Sequence, residues 1–228
     1  MAEAGPVGAA YAGCRERIGA LVIALDDAGT KARVSACPKW SVHDVVAHVC
    51  GVVDDALAGR LDGVATDPWT AAQVEARRNL PVADIVAEWN EKAPAFESML
   101  DGIGITGMQA VFDVVTHEHD VRGALGQPGA RDSDAVQIGL EFVAPGYISS
   151  AAAGGLSVRV NIDGGPSFGE SAQPDVSLTA GTFDVLRMLA GRRSVEQARA
   201  LAWQGDVDRA IDALTFGPFT PASSAIDE

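Results

Sequence analysis

The sequence predicts an α+β protein, an up-down four-helix bundle over residues 1–128 followed by a small α/β domain over residues 129–228. Three observations carry this expectation. Apolar residues recur at helical spacing through the first half, with no alternating stretch between them. Leu156, Val158, Val160 and Ile162 then alternate with polar residues, the pattern of a half-buried strand. Between these regimes, Gly126-Gln127-Pro128-Gly129 stops one helix and Asp132-Ser133-Asp134 can cap the next, which places the seam near 126–133.

The elements follow in order. Tyr11, Cys14, Ile18, Leu21, Val22 and Leu25 define a first amphipathic helix over roughly 9–28, closed by Asp26-Asp27-Ala28-Gly29. Ala36-Cys37-Pro38 belongs to a connecting loop. Ser41 is a good N-cap for a second helix reaching about Gly59, and Asp44 three residues on completes a capping-box pattern. That helix carries Val42, Val45, Val46, Val49, Val52 and Val53; His48 lies beside their stripe and should point inward. His43 is expected to be exposed, and Cys50 to face largely away from the core.

After turn signals at Asp62-Gly63 and Asp67-Pro68, a helical segment over about 70–79 contains Arg77-Arg78, read as a solvated charged face in preference to an anion contact. Pro81 suits the first turn of a helix carrying Val82, Ile85, Val86, Trp89, Phe96, Met99 and Leu100. The last bundle helix spans roughly 104–125. In the second domain, a helix after Asp132 is expected to be interrupted at Pro145-Gly146, with Ala151–Gly155 flexible. Strands at Leu156–Ile162 and Val176–Thr179 are followed by a helix over Thr182–Ala190. A final strand over Ala198–Gln204, a short helix over Asp206–Leu214 and a loose tail from Pro218 complete the chain.

The formal net charge of −14 argues against nucleic acid and against an anionic membrane surface, because both need a basic face. No apolar run reaches the roughly 18–20 residues that cross a bilayer, and Met-Ala-Glu-Ala-Gly opens without the basic and apolar regions of a signal peptide. Cys14, Cys37 and Cys50 are an odd number without paired metal-type spacing, so a reducing cytoplasm is the expected location. Cys14 lies on an apolar stripe and reads as inert core rather than nucleophile. A low lysine count, three among 17 basic residues, together with abundant Ala and Gly suggests a GC-rich bacterial genome.

The chemistry concentrates in Asp113-Val114-Val115-Thr116-His117-Glu118-His119-Asp120-Val121-Arg122. On a helix, Asp113 and His117 lie about 40° apart around the axis and Asp120 returns to within about 20° of Asp113. His119 falls on another face. A catalytic divalent site takes three protein ligands and keeps a position open. Asp113 and His117 supply two, and the inward-facing His48 on a neighbouring helix is the best-placed third. Zn²⁺ is the first choice from ligand type, with Fe²⁺, Ni²⁺ or Mn²⁺ also compatible. Asp120 or Glu118 would orient an imidazole through its second nitrogen. The same spacing also suits structural histidines hydrogen-bonded to carboxylates inside the bundle, and residues alone leave both readings open. No phosphate-binding glycine loop and no Gly-x-Ser-x-Gly elbow is present.

Two segments resemble the mycothiol-dependent maleylpyruvate isomerase family. They are Trp40-Ser41-Val42-His43-Asp44-Val45-Val46-Ala47-His48-Val49-Cys50-Gly51 and the pattern Asp113-x-x-x-His117-Glu118-x-Asp120-x-Arg122-x-Ala124-Leu125-Gly126. The resemblance implies a DinB-like metal-binding bundle and a C-terminal domain similar to sterol carrier protein 2. It implies a divalent metal, usually zinc, held by His48, Asp113 and His117, with mycothiol as thiol cosubstrate and its thiolate as nucleophile toward a small electrophile. In that family's isomerase, thiolate adds to a cis double bond, the single bond rotates, and elimination gives the trans product; other relatives transfer the thiol. Arg192 matches an arginine that assists the family's activity. Asp113 departs from the glutamate of the isomerase, which bears on the substrate more than on the metal. A non-catalytic metal- or ligand-binding protein of the same fold is the competing expectation, and the chain is expected to be a monomer or homodimer.

Overall fold

The computed structural model describes residues 5–228; Met1–Ala4, which fall in the stretch read as lacking a signal peptide, lie outside the described residues. The chain is α+β, a mostly helical first part followed by a small four-stranded mixed sheet with helices. It divides into two compact units, Met1–Gly129 (with the terminal Glu228) and Ala130–Asp227.

The first unit contains α1 (Pro6–Val22), a single turn α2 (Asp27–Thr30), α3 (Val42–Leu57), α4 (Asp67–Arg77), α5 (Val82–Leu100) and α6 (Ile105–Leu125). The long helices α1, α3, α5 and α6 pack on one another, while α4 packs on α3. Their shared core includes Tyr11, Ile18, Val45, Val49, Ile85, Trp89, Leu100 and Val115, all nearly inaccessible. Tyr11 links α1 to α5 through edge-on contacts with Trp89 and Phe96, at 6.4 and 5.2 Å between ring centroids.

Helix α1 stops earlier than its apolar spacing suggests. Asp26 caps a separate turn by accepting the Gly29 N–H at 2.8 Å, and this local bond outcompetes continued helix. Pro81 is the N-cap of α5 rather than a residue of its first turn. The Ser41–Asp44 capping box of α3 is formed, with Asp44 accepting the Ser41 N–H at 2.9 Å.

In the second unit, β1 (Val158–Ile162), β2 (Ser167–Phe168), β3 (Val176–Ala180) and β4 (Ala202–Gly205) form one sheet in the order β2-β1-β3-β4. The central pair is parallel, Val160 opposite Leu178, and both edge strands are antiparallel. Helices α7 (Asp134–Ala153), α8 (Thr182–Leu189), α9 (Val195–Arg199) and α10 (Val207–Asp212) complete the unit.

Three expectations are corrected here. Helix α7 runs through Pro145, because burying Ala144, Tyr147 and Ala151 and the 3.0 Å bond from Tyr147 Oη to the Ala210 carbonyl offset the lost N–H. The stretch expected as a final strand from Ala198 begins inside α9, which the Ser194–Gln197 capping box initiates, and the strand itself covers Ala202–Gly205. The tail is pinned rather than loose. Gln197 exchanges two hydrogen bonds with the Ile226 backbone, at 2.9 and 3.1 Å, and Ile226 is buried.

Candidate metal centre

The site lies where α3 faces α6. Helix α6 ends at Gly126, whose φ of 62° suits a residue without a Cβ. From Val114 to Val121 every α6 residue is buried, four ionisable side chains among them. Such groups persist in an interior only when each has a partner.

Glu118 has two. Arg17 donates to its carboxylate from Nε and Nη2, both at 2.8 Å, and Arg122 donates from Nε at 2.9 Å. Burial alone would raise the Glu118 pKa, but these guanidiniums hold it below the usual value. Glu118 therefore ties α6 to α1 and does not orient a histidine. His119 is buried elsewhere on the helix.

His48, Asp113 and His117 converge. One ligand atom from each lies within 4.8 Å of the others. His48 Nε2 is 3.6 Å and His117 Nε2 is 3.7 Å from the same Asp113 oxygen. Ligands 2.0–2.1 Å from a tetrahedral Zn²⁺ stand about 3.3 Å apart, so the observed spacing is close to what an ion needs. Both imidazoles are nearly buried, whereas the Asp113 side chain keeps 35% of its surface exposed.

The opposite ring nitrogens are held. His117 Nδ1 is 3.0 Å from Asp120 Oδ2, and the Asp120 side chain is inaccessible. His48 Nδ1 is 2.7 Å from Gln73 Oε1, and Gln73 Nε2 donates to Asp55 Oδ2 at 2.7 Å. A carboxylate acceptor requires each facing Nδ1 or amide nitrogen to carry hydrogen. In their neutral forms both histidines thus turn the Nε2 lone pair toward Asp113. The donor set and its orientation fit a divalent ion. For His48, burial works to lower the pKa, but the Asp113 carboxylate outweighs it and leaves the ring above its usual value.

Trp40 forms one wall of the centre, its ring 5.0 Å from that of His48 and 5.8 Å from that of His117. The loop preceding α3 is closed by backbone bonds from Val34 N to Trp40 O, Trp40 N to Cys37 O and Val42 N to Ala32 O. This places Cys37 Sγ 3.7 Å from Asp120 Oδ2, and Cys37, His117 and Asp120 form a second cluster with metal-ligand spacing among the described residues.

Cys50, His43 and Arg77 sit differently from expectation because α4 and its flanks cover one side of α3. Cys50 is buried, and desolvation pushes its thiol up to about 11. His43 is only partly exposed and donates from Nε2 to the Leu80 carbonyl at 2.8 Å. Arg77 is buried and paired with Glu88 at 2.6 Å, while Arg78 alone is the solvated member. Arg192 belongs to the second unit, where Nη1 donates to the Ala190 carbonyl at 2.8 Å. Gln73 and Trp40 also contribute to the centre, a part that the sequence pattern alone does not give them. Trp40 stood within the recognised motif, but nothing in the local sequence around Gln73 marked it.

A family profile described as "Mycothiol maleylpyruvate isomerase N-terminal domain" matches residues 11–125, just over half of the chain. The chain belongs to this family. The matched residues include all three members of the His48–Asp113–His117 group. Among solved structures, a histidine-to-alanine mutant of the mycothiol-dependent maleylpyruvate isomerase aligns at 11% identity. It has a TM-score of 0.55 and covers 82% of this chain and 88% of that one. The isomerase without that substitution aligns over the same shares at 12% identity and a TM-score of 0.48. The first likeness supports the family's fold for this chain. No curated protein matches the sequence.

Proposed function

We propose that this protein is a metal- and mycothiol-dependent isomerase or thiol transferase acting on a small electrophile. The observation that supports it most is the convergence of two tautomer-restrained imidazoles on one carboxylate, within a domain of the mycothiol maleylpyruvate isomerase family.

His48, Asp113 and His117 would hold the ion. A divalent ion there supplies Lewis-acid stabilisation of the thiolate form of a thiol cosubstrate, and Zn²⁺ suits this nitrogen and oxygen set. The protein's own residues provide the rest. Asp120 and Gln73 direct the imidazoles, Trp40 walls the centre on the loop side, and the partly exposed Asp113 marks the side from which a cosubstrate would enter. Two neutral imidazoles and one carboxylate leave a divalent ion with a residual positive charge, which favours an anionic sulfur. Arg192 is assigned a supporting part with the electrophile, by the family resemblance.

Elemental analysis of the purified protein, beside His48→Ala and His117→Ala, tests the reading. Wild type should carry about one equivalent of divalent metal and each variant far less. Mycothiol should then perturb the visible spectrum of the cobalt-substituted protein and be consumed with, or catalyse isomerisation of, model electrophiles. Metal-free wild type that stays empty after zinc supplementation overturns the reading. Metal without any response to mycothiol favours a non-catalytic binding protein.

A further inference from the structure

We infer that Gln73 is the positioning residue that makes His48 a metal ligand, and that Gly51 exists to let it approach. The inference rests on the metal reading above and adds a residue to it. His48 has two acceptors competing for its single proton when neutral: Gln73 Oε1, 2.7 Å from Nδ1, and an Asp113 oxygen, 3.6 Å from Nε2. A proton on Nε2 would occupy the lone pair an ion needs. Gln73 holds it on the far nitrogen.

An amide could present either end, since its NH₂ would reverse the preference. Asp55 settles the choice. Its carboxylate only accepts, so the Gln73 amide nitrogen, 2.7 Å away, must face it and the carbonyl must face His48. Asp55 is itself fixed by Arg60, which donates from Nε at 2.8 Å. A chain Arg60–Asp55–Gln73–His48 therefore runs from a half-exposed guanidinium to a buried ring, with a donor facing an acceptor at each link.

The second observation is independent of hydrogen bonding. A Cβ on Gly51 would stand 2.5 Å from Gln73 Cβ and 2.7 Å from its Cγ. These are the root of the side chain, which cannot swing aside without moving α4. Gly51 sits within α3, where glycine is less favourable than alanine because it loses more backbone freedom on folding. Its presence is explained by the slot it leaves for Gln73.

The test uses the full-length protein. Nitrogen-15 NMR of the metal-free form, at a pH where the ring is neutral, should show His48 protonated on Nδ1 in wild type. In Gln73→Leu the proton should move to Nε2, and Zn²⁺ affinity in chelator competition should fall about 10–100-fold. The double variant Asp55→Asn with Gln73→Glu reverses the donor and acceptor between the two positions and should restore both readouts; a residue that merely packs would not be rescued this way. If Gln73→Leu does not fold, Asp55→Ala releases the amide to flip and should give a tautomer mixture. Gly51→Ala should reproduce the Gln73→Leu spectrum. An unchanged His48 tautomer in these variants overturns the inference. Wild type that binds no zinc but shows the tautomer shift sinks the metal reading and leaves the positioning of His48 standing.

Discussion

Removing the Arg17 guanidinium should destabilise the protein far more than loss of a surface ion pair would. Arg17→Met keeps most of the apolar stem and deletes the two donors Arg17 gives to Glu118, whose side chain is wholly inaccessible. Each charge-assisted bond contributes roughly 1.5–3 kcal/mol. The Arg17 side chain is 32% exposed, so water partly screens its share, and Arg122 still pairs with Glu118 at 2.9 Å. We therefore expect a loss of about 2–4 kcal/mol, against roughly 0–1 for an exposed pair. Urea unfolding followed by tryptophan fluorescence would report it, since Trp40, Trp69 and Trp89 all lie in the first unit. The double variant Arg17→Met/Glu118→Gln should recover part of the loss, because it no longer buries a carboxylate short of partners. A single-variant loss below about 0.5 kcal/mol, or a double variant no more stable than the single one, would refute the reasoning.

Thiol alkylation of the native protein near neutral pH should mark Cys37 and spare the other two cysteines. Cys14 and Cys50 are buried and their thiols are raised by desolvation, Cys50 to about 11, while Cys37 is partly accessible; peptide mass spectrometry decides it. Gly107→Ala should destabilise by about 1–3 kcal/mol or more, because its Cβ would fall inside the contact radius of the Leu100 carbonyl where α6 passes the end of α5; a neutral change in a thermal melt would contradict this. Acid should weaken the Arg77–Glu88–Lys92 cluster. Burial tends to raise the Glu88 carboxylate, but Arg77 and Lys92 hold it below its ordinary value of 4.5. A lowered folded pKa gives stability that is complete above the unfolded value and is lost as pH falls through the folded one. The stability gap between wild type and Glu88→Gln should thus stay level near neutrality and shrink only below about pH 4.5; a gap that widens in acid would contradict the pairing.

The parts of the fold legible in the sequence are those fixed by local rules. The valine stripe of α3 and the Ser41–Asp44 box, the helix stop at Gly126 and the alternation of β1 each depend on neighbours within a turn or a strand. What escaped depends on distant partners. Pro145 reads as a helix breaker until the buried Tyr147 and its bond to Ala210 are known. Cys50 and Arg77 read as outward-facing because four main helices account for the core, and nothing near α4 announces that it covers α3. The same covering hid Gln73. An imidazole flanked by apolar residues signals an inward direction, and a spacing of four signals a shared face with Asp113; neither says which group takes the second proton.

Helix α6 carries its charges at an energetic cost. An interior helix with Glu118, His117, His119 and Asp120 all buried gives up apolar contact that leucines or valines would supply. Glu118 offsets its desolvation through two guanidiniums, and its bonds tie α6 to α1. Asp120 and His117 share one bond, and Asp113 remains partly in water. The charges on this helix thus divide by task. Glu118 fixes where the helix lies, and Asp120 fixes how one ring is turned. The Nε2 lone pairs of His48 and His117 and an Asp113 oxygen converge on a common centre, which is the condition a ligand set has to meet before an ion arrives.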